Sequence, residues 1–404
     1  MINPSANGWI DKFFSKQKTF LFSDEENLNT FYKKVRETGF IYGHIVSFDT
    51  AEPIDTKSWL GDEVSKVALL NTLFSIYVLS TDDSKTENFI ADVLSFYNEM
   101  NPEGFNLFKK VLPDSPPSLN LEKIIDNRVQ TNIDVISKNF SHILTNALLF
   151  IDILAFRQYL IHGAIPEKYL KKIEEAIINI VSLALKTKSN KSKYDDLLIK
   201  LFESSVRYTK FSKVNIESRN FGMEELELDY FTNELEKNYL IDMAGIALWS
   251  DGVIEKNEAY FLHKLAELMT ISDDFVIESI AKTNQFISKY KDEIPYFNYS
   301  NPVKHFYDQT TQTVMKLITR NKNRLVKEIV QSKELMLLLA ISTRRDLDEK
   351  EKKKVKKQLL DICKTVPSLT IFLLPGGSLL LPLLIKFIPR LLPSAFNENL
   401  DENE

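Results

Sequence analysis

The sequence predicts an all-α protein built from helical hairpins and bundles, and three observations support this. Glycine is scarce, at 11 of 404 residues, whereas strand-and-turn folds use it in many of their turns. Apolar residues recur every three or four positions over most of the chain, which is the helical period. Strand-like composition occurs only at 40–48. The length of the chain predicts several compact units.

The amino-terminal helical region is predicted at 1–112. Apolar residues at helical spacing predict an amphipathic helix over 62–80 and a second helix over 86–100. A stretch rich in proline and serine follows at 113–118. Such a stretch breaks helices, so the first unit is expected to end there.

A central helical bundle is predicted at 119–215. Three helical patterns lie in it: 121–162, 166–187 and 193–210. The middle of the first pattern, 147–161, is very apolar, but Asp152 and Arg157 interrupt it. Because charged residues are costly inside a bilayer, this stretch is predicted to be a buried core helix and not a membrane span.

A further helical unit is predicted at 224–285, and a helical connector at 303–363. The first of these shares a pattern with the central bundle. An apolar helix carrying one aspartate occurs at 150–155 and again at 240–245, followed each time by a glycine turn and a helix that opens with an acid. Divergent copies of one hairpin and chance similarity both remain open.

Three acidic residues, Asp251, Glu255 and Glu258, surround the turn after the second of these helices. Oxygen ligands converging on one side of a turn suit a hard cation, so the pattern suggests a Ca²⁺ or Mg²⁺ site. The alternative is that acids in the first turn of a helix complement its dipole without any metal. The spacing is not that of an EF-hand loop.

The segment 226–281 resembles a TerB-like domain, the helical module of tellurite-resistance proteins. The resemblance rests on Trp249, Asp251 and Gly252, followed by the two glutamates Glu255 and Glu258. It implies a link to divalent ions and to membrane-associated assemblies.

The carboxyl-terminal end holds the predicted membrane segment, 364–396. Twenty residues, 366–385, carry no charge, and as a helix they would cover ~30 Å, about one bilayer core. Basic residues dominate before the segment, and the tail 397–404 is acidic. This asymmetry predicts a cytoplasmic body. Prolines and glycines predict a kinked or re-entrant form, with a buried hairpin in a soluble domain as the alternative. The residues that define the segment are Pro367, Pro375, Gly376, Gly377, Pro382, Lys386, Pro389, Arg390 and Pro393.

These prolines, with Lys386-Phe387 and Leu392-Pro393-Ser394, resemble the membrane stretch of the LETM family. The similarity covers about 50 residues from Leu347 to Phe396. It implies an inner-membrane location, and the family is associated with K⁺/H⁺ or Ca²⁺/H⁺ exchange and ribosome binding. Bacterial relatives with this tail are described as biofilm-associated. The sequence departs from the family pattern at Gly376 and Ser378, where an aromatic residue and an acid are typical. The ribosome-binding domain that follows in mitochondrial members is expected to be missing.

The function predicted from these features is a non-enzymatic scaffold or adaptor, anchored in the bacterial inner membrane with its body in the cytoplasm and responsive to divalent cations. The sequence contains no glycine-rich nucleotide loop and no catalytic motif. A net charge of −5 argues against DNA binding. The predicted partners are the lipid bilayer, other membrane or cytoplasmic proteins and further copies of the chain. The alternative is a cation/proton exchange component or a ribosome-binding membrane protein.

Overall fold

A computed structural model describes the chain at 2–17, 27–100, 115–129, 146–188, 222–249, 254–293, 314–342 and 345–365, and at Leu369, Ile385 and Ile388. The prediction of an all-α fold is confirmed, because the described parts are helices and connecting turns with no strand among them. The α-helices are α1 (Trp9–Lys16), α2 (Leu28–Glu37), α3 (Gly61–Thr81), α4 (Thr86–Met100), α5 (Pro117–Val129), α6 (Phe150–His162), α7 (Tyr169–Thr187), α8 (Glu234–Leu248), α9 (Lys256–Leu268), α10 (Asp273–Tyr290), α11 (Lys322–Gln331), α12 (Lys333–Ile341) and α13 (Glu349–Thr365). A further helical turn or two occupies 314–320.

Side-chain caps fix several helix starts. The Asn27 side chain accepts hydrogen bonds from the backbone of Asn29 and Thr30 at the start of α2, and Asn233 accepts one from Leu235 at the start of α8. These bonds satisfy amide groups that have no partner within a helix. At the other end of α6, Gly163 adopts the left-handed conformation that commonly ends a helix.

The prediction of a strand at 40–48 is wrong. Short-range turns form there instead, with the amides of Tyr42 and His44 donating to the carbonyl of Gly39. Gly39 has a positive φ of 81°, and a Cβ atom built on it would lie 2.0 Å from the carbonyl oxygen of His44. Only glycine fits this close approach of the backbone. The apolar residues of the segment are therefore buried by a compact turn rather than by a sheet.

One hydrophobic core extends from Ile2 to Ile287 and includes all three tryptophans. The helix α3 crosses this core. Its predicted position is confirmed, but its sides are buried almost all round, so it lacks the solvent-facing side of an amphipathic helix. The three units predicted upstream of 290 all contribute to this core.

Among the described residues, α3 is the one helix long and apolar enough to cross a membrane, with a mean hydropathy of 1.4. Of the residues in its most apolar window, 78% are buried inside the protein. Burial of this extent is typical of a core helix. The apolar middle of the central region, α6, is likewise buried from Phe150 to Phe156, which confirms the prediction of a core helix there.

A second, smaller core is formed by 314–320 and α11–α13, and the described carboxyl-terminal residues join it. Leu369 and Ile388 are both fully buried in it. Leu60 of the amino-terminal part packs against this second core. The two cores are therefore in contact.

A buried carboxylate, that of Glu63, ties the two cores together. The guanidinium of Arg320 donates to both oxygens of Glu63, at 2.6 and 2.7 Å. The same carboxylate accepts from the backbone amide of Leu60 at 2.9 Å and from the hydroxyl of Ser5. One side chain thus caps α3, holds the amino-terminal segment and binds the second core.

Candidate functional site

The first buried polar cluster surrounds Asp242 in the middle of α8. Its carboxylate accepts from Tyr32 Oη at 2.6 Å, from Arg36 Nε at 3.0 Å and from the Ser279 hydroxyl. Asp242 and Arg36 are both almost completely buried. Burial alone would lower the pKa of the Arg36 guanidinium, but the charge of Asp242 raises it above its ordinary value. The cluster therefore holds an ion pair inside the first core.

The second buried cluster also joins an aspartate to a tyrosine and an arginine. Asp152 of α6 accepts from Tyr97 Oη at 2.9 Å and from Arg128 Nε at 2.7 Å. Asp152 is the interrupting acid noted in the sequence, and it occupies the same place as Asp242 in the repeated helical pattern. Each aspartate is held by one arginine and one tyrosine from neighbouring helices. The sequence similarity of the two helices thus coincides with a shared way of burying a charge.

The acidic turn is described only in part, because Asp251 lies outside the described residues. Glu255 immediately precedes α9, and its backbone amide donates to the carboxylate of Glu258 at 2.7 Å. Glu258 is buried, with 1% of its surface exposed. Its carboxylate thus caps the helix, as in the metal-free alternative. Across the described ranges, no three His, Cys, Asp or Glu side chains gather as metal ligands. The Ca²⁺ or Mg²⁺ site stays a prediction.

A surface groove of about 470 Å³ lies between α1, α4 and the start of α5. Its polar lining includes Asp11, Ser15, Glu87 and Ser118, and the Ser118 hydroxyl donates to Asp11 at 3.0 Å. Nucleophilic catalysis by serine requires a base such as histidine within hydrogen-bond reach. The described lining of this groove contains no histidine, so these residues form no serine–histidine pair.

The helix α13 precedes the predicted membrane segment. A capping box lies at its start: the amide of Asp348 donates to Glu351 at 2.8 Å, and the amide of Glu351 donates to Asp348 at 2.8 Å. Hydrogen bonding by Arg345 and by the backbone of Asp348 lowers the pKa of Glu351 to about 2. The helix therefore begins at Glu349.

Charge and burial are segregated around α13. The helix contains seven lysines and three acids. Its buried residues are Val355, Leu359, Ile362 and Cys363. At 100° per residue, four exposed lysines fall within about 60° of one another on the opposite side. We call them the lysine stripe: Lys350, Lys353, Lys357 and Lys364.

The predicted membrane segment is described at only three positions. The residues from Pro367 to Pro393 that define it lie outside the described part. Leu369 and Ile388 are buried in the second core, and Ile385 is partly buried against it. At these positions the chain contacts protein, as the soluble alternative requires. Insertion of the residues between them into a membrane stays a prediction.

Cys363 sits on the buried side of α13. Burial raises the pKa of its thiol to about 12. A thiol that stays protonated is a poor nucleophile, so Cys363 is packed as an apolar side chain.

A comparison with known families adds one finding at this end of the chain. Residues 347–404 match the family model described as LETM1-like, RBD. The match covers about one seventh of the chain and supports a relation to LETM1-related proteins. No curated protein and no solved structure matches the chain.

The LETM1-like match coincides with the part of the sequence in which the LETM resemblance was seen, so the prediction of a LETM-related segment is confirmed. It also corrects one expectation. The ribosome-binding domain was expected to be missing, yet the segment matches a model that carries this domain's description. The match begins at Leu347, a buried residue of the second core, and includes α13. The TerB-like resemblance and the biofilm association stay predictions.

Proposed function

We propose that this protein is a non-enzymatic helical scaffold of the LETM-related type, anchored in the bacterial inner membrane through its carboxyl-terminal segment. The observation that carries the proposal is the LETM1-like match over 347–404. This match contains the uncharged stretch 366–385, which is long enough to cross a bilayer core. The large first core and its buried ion pairs suit a rigid body that holds partners at the membrane surface.

The structure also supports a specific placement of the body. The helix α13 ends at Thr365, directly before the uncharged stretch. Its charged side chains face away from the second core, and basic residues beside a membrane segment favour the cytoplasmic side. The second core would then lie between the membrane surface and the first core, to which Glu63 and Arg320 connect it.

Membrane insertion is tested by expressing the full chain and extracting the membranes with alkaline carbonate. The informative variant is Leu380→Arg with Leu384→Arg, because an arginine in the middle of a membrane helix costs about 2.5–3.5 kcal/mol on insertion scales. The matched control is Ile277→Arg with Leu337→Arg, which adds the same charge at positions 58% and 54% exposed in the folded protein. All proteins carry Cys363→Ala, so that ionisation of this thiol at high pH does not affect the comparison.

The proposal predicts that the parent and the control stay in the membrane pellet while the Leu380→Arg, Leu384→Arg variant is extracted. Extraction of all three proteins would show that the chain is not inserted. In that case the residues around Leu369 and Ile388 form part of a soluble fold, and the apolar segment completes the second core.

Ribosome binding is a second candidate, favoured by the description of the matched family model. It is measured by co-sedimentation of the full chain with purified ribosomes at low and high salt. Binding that weakens steeply with salt would indicate phosphate contacts. Absence of the protein from the ribosome pellet at both salt concentrations would reject this role.

Cation/proton exchange is less well supported. An exchanger needs an ionisable group that changes its charge within the membrane. The acid that is typical of the LETM family is replaced by Ser378 in this sequence. Divalent-cation responsiveness through Asp251, Glu255 and Glu258 is tested by calorimetric titration with Ca²⁺ and with Mg²⁺. No heat of binding with either ion would reject it.

A further inference from the structure

Three of the four lysines of the lysine stripe have no acidic partner among the residues that the structure describes. Lys350, Lys353 and Lys357 form no ion pair within 4 Å with any described residue. The remaining stripe lysine, Lys364, pairs with Asp361 at 2.7 Å. By contrast, Lys352 and Lys354, which lie on the same helix but outside the stripe, bind Glu349 and Glu334.

The stripe is also held in a fixed orientation. The opposite side of α13 is buried through Val355, Leu359 and Ile362, so the helix cannot rotate about its axis without exposing core residues. From Lys350 to Lys364 the stripe extends ~21 Å at 1.5 Å per residue. A rigid row of ammonium groups of this length suits a flat, negatively charged surface better than a pocket-sized ligand.

We propose that the lysine stripe binds the headgroups of anionic phospholipids, so that α13 lies flat on the membrane surface with its buried side toward the second core. This inference rests on the proposed function, because the uncharged stretch that follows α13 brings the helix to the bilayer. The net charge of −5 argues against a nucleic acid as the main partner. Charge complementarity and the adjoining apolar chain together favour a lipid surface.

The test compares two pairs of substitutions on the same helix with the same change of charge. Lys353→Gln with Lys357→Gln removes two stripe lysines, whereas Lys352→Gln with Lys354→Gln removes two lysines that already have acidic partners. The full chain is synthesised in the presence of sucrose-loaded vesicles. One set contains neutral phosphatidylcholine alone, and the other also contains about one third phosphatidylglycerol. Co-sedimentation is measured at about 0.1 M and about 1 M salt, and the pellets are then washed with carbonate.

The parent is expected to favour anionic vesicles at low salt. A lysine near an anionic surface contributes about a fivefold gain in partitioning to the membrane. Partitioning of the stripe pair to anionic vesicles is therefore expected to fall about 30-fold. The control pair is expected to stay within about threefold of the parent, since its lysines are neutralised locally. Far-ultraviolet circular dichroism and protection of Cys363 from alkylation confirm that both variants fold.

Each other outcome identifies which statement fails. Equal losses of vesicle binding in the two variant pairs would overturn the proposal that the lysine stripe binds anionic lipids. Equal binding of the parent to neutral and anionic vesicles would overturn it as well. If a carbonate-resistant fraction remains in that case, the membrane anchor of the proposed function stands. If the stripe pair alone loses vesicle binding and no carbonate-resistant fraction remains, lipid binding by the lysine stripe is supported and the membrane anchor is refuted. If a ribosomal RNA fragment, and not the vesicles, distinguishes the stripe pair from the control pair, the stripe binds RNA and the lipid proposal is wrong.

Discussion

Replacing Asp242 by Asn is expected to destabilise the first core by about 3–5 kcal/mol. The substitution removes the charge while keeping the size of the side chain, and it leaves the buried Arg36 guanidinium with one carboxylate partner, the half-buried Glu278 at 3.2 Å from Nη1. Arg36 has 2% of its side chain exposed and Asp242 has none, so water cannot replace the lost interaction. Removing one partner of a buried ion pair has a cost of this size.

Urea denaturation followed by tryptophan fluorescence measures this loss. The three tryptophans, Trp9, Trp59 and Trp249, all belong to the first core, so the signal reports that core and not the second one. The expected change is a lower midpoint with an unchanged slope, which indicates altered stability without a change in compactness. The double variant Asp242→Asn, Arg36→Gln is expected to lose clearly less than the sum of the single losses, because each residue is costly mainly without the other.

Two matched comparisons complete the prediction. Asp152→Asn is expected to cost a similar amount, because Arg128 and Tyr97 surround that carboxylate in the same way. Glu175→Gln, which removes one partner of the exposed pair with Lys171, is expected to stay within about 1 kcal/mol. A loss below about 1 kcal/mol for Asp242→Asn would refute the reasoning, since it would mean that Glu278 or water compensates the guanidinium charge.

Three further predictions concern single sites. Gly39→Ala is expected to destabilise the first core by more than about 2 kcal/mol, because its Cβ would meet the His44 carbonyl. Gly61→Ala, which has open space around it, is expected to be neutral or to stabilise by up to about 1 kcal/mol; equal effects in urea titrations would contradict this contrast. Leu369→Ala is expected to lower the free energy of unfolding of the second core by about 2–5 kcal/mol, whereas Leu337→Ala at an exposed position is expected to lower it by about 0.5 kcal/mol or less. The urea concentration at which half of Cys363 becomes alkylated measures both effects. Cys363 itself is expected to resist alkylation at pH 8 until the second core unfolds. Because its pKa is raised only in the folded state, the stability that it contributes is complete below about pH 8.5 and is lost as the pH rises toward 12; rapid alkylation of the folded protein at pH 8 would show that the thiol is accessible.

Local features of the fold could be predicted from the sequence more fully than burial. The helix α4 has the predicted bounds, 86–100, because spacing and flanking polar residues are properties of the segment itself. The capping box of α13 is local in the same sense. By contrast, α3 was predicted to have a polar side, and its polar residues Glu63 and Lys66 are instead buried through contacts with distant parts of the chain. Such contacts depend on tertiary packing, which a single sequence does not display.

The buried clusters show how far the sequence signal reaches. An isolated aspartate in an apolar helix, at Asp152 and at Asp242, was visible as a repeated pattern. The arginine that pairs with Asp242 lies 206 positions away, and nothing local to Arg36 marks it as a core residue. The strand predicted at 40–48 fails for a different reason. Apolar composition is shared by strands and buried turns, and the positive φ of Gly39 decides between them.

The second core has a consequence for how this chain could be divided or inherited. Similarity to the LETM1-like family begins at Leu347, yet the apolar side of α13 is covered by residues of α11 and α12, which lie outside that similarity. A piece cut at the start of the match would expose Val355, Leu359 and Ile362 to water. The boundary that sequence similarity recognises is therefore not the boundary of a stable fragment. If recombination transferred this carboxyl-terminal end to another protein, residues 314–341 would have to be transferred with it. Otherwise a helix of the other protein would have to cover the apolar side of α13.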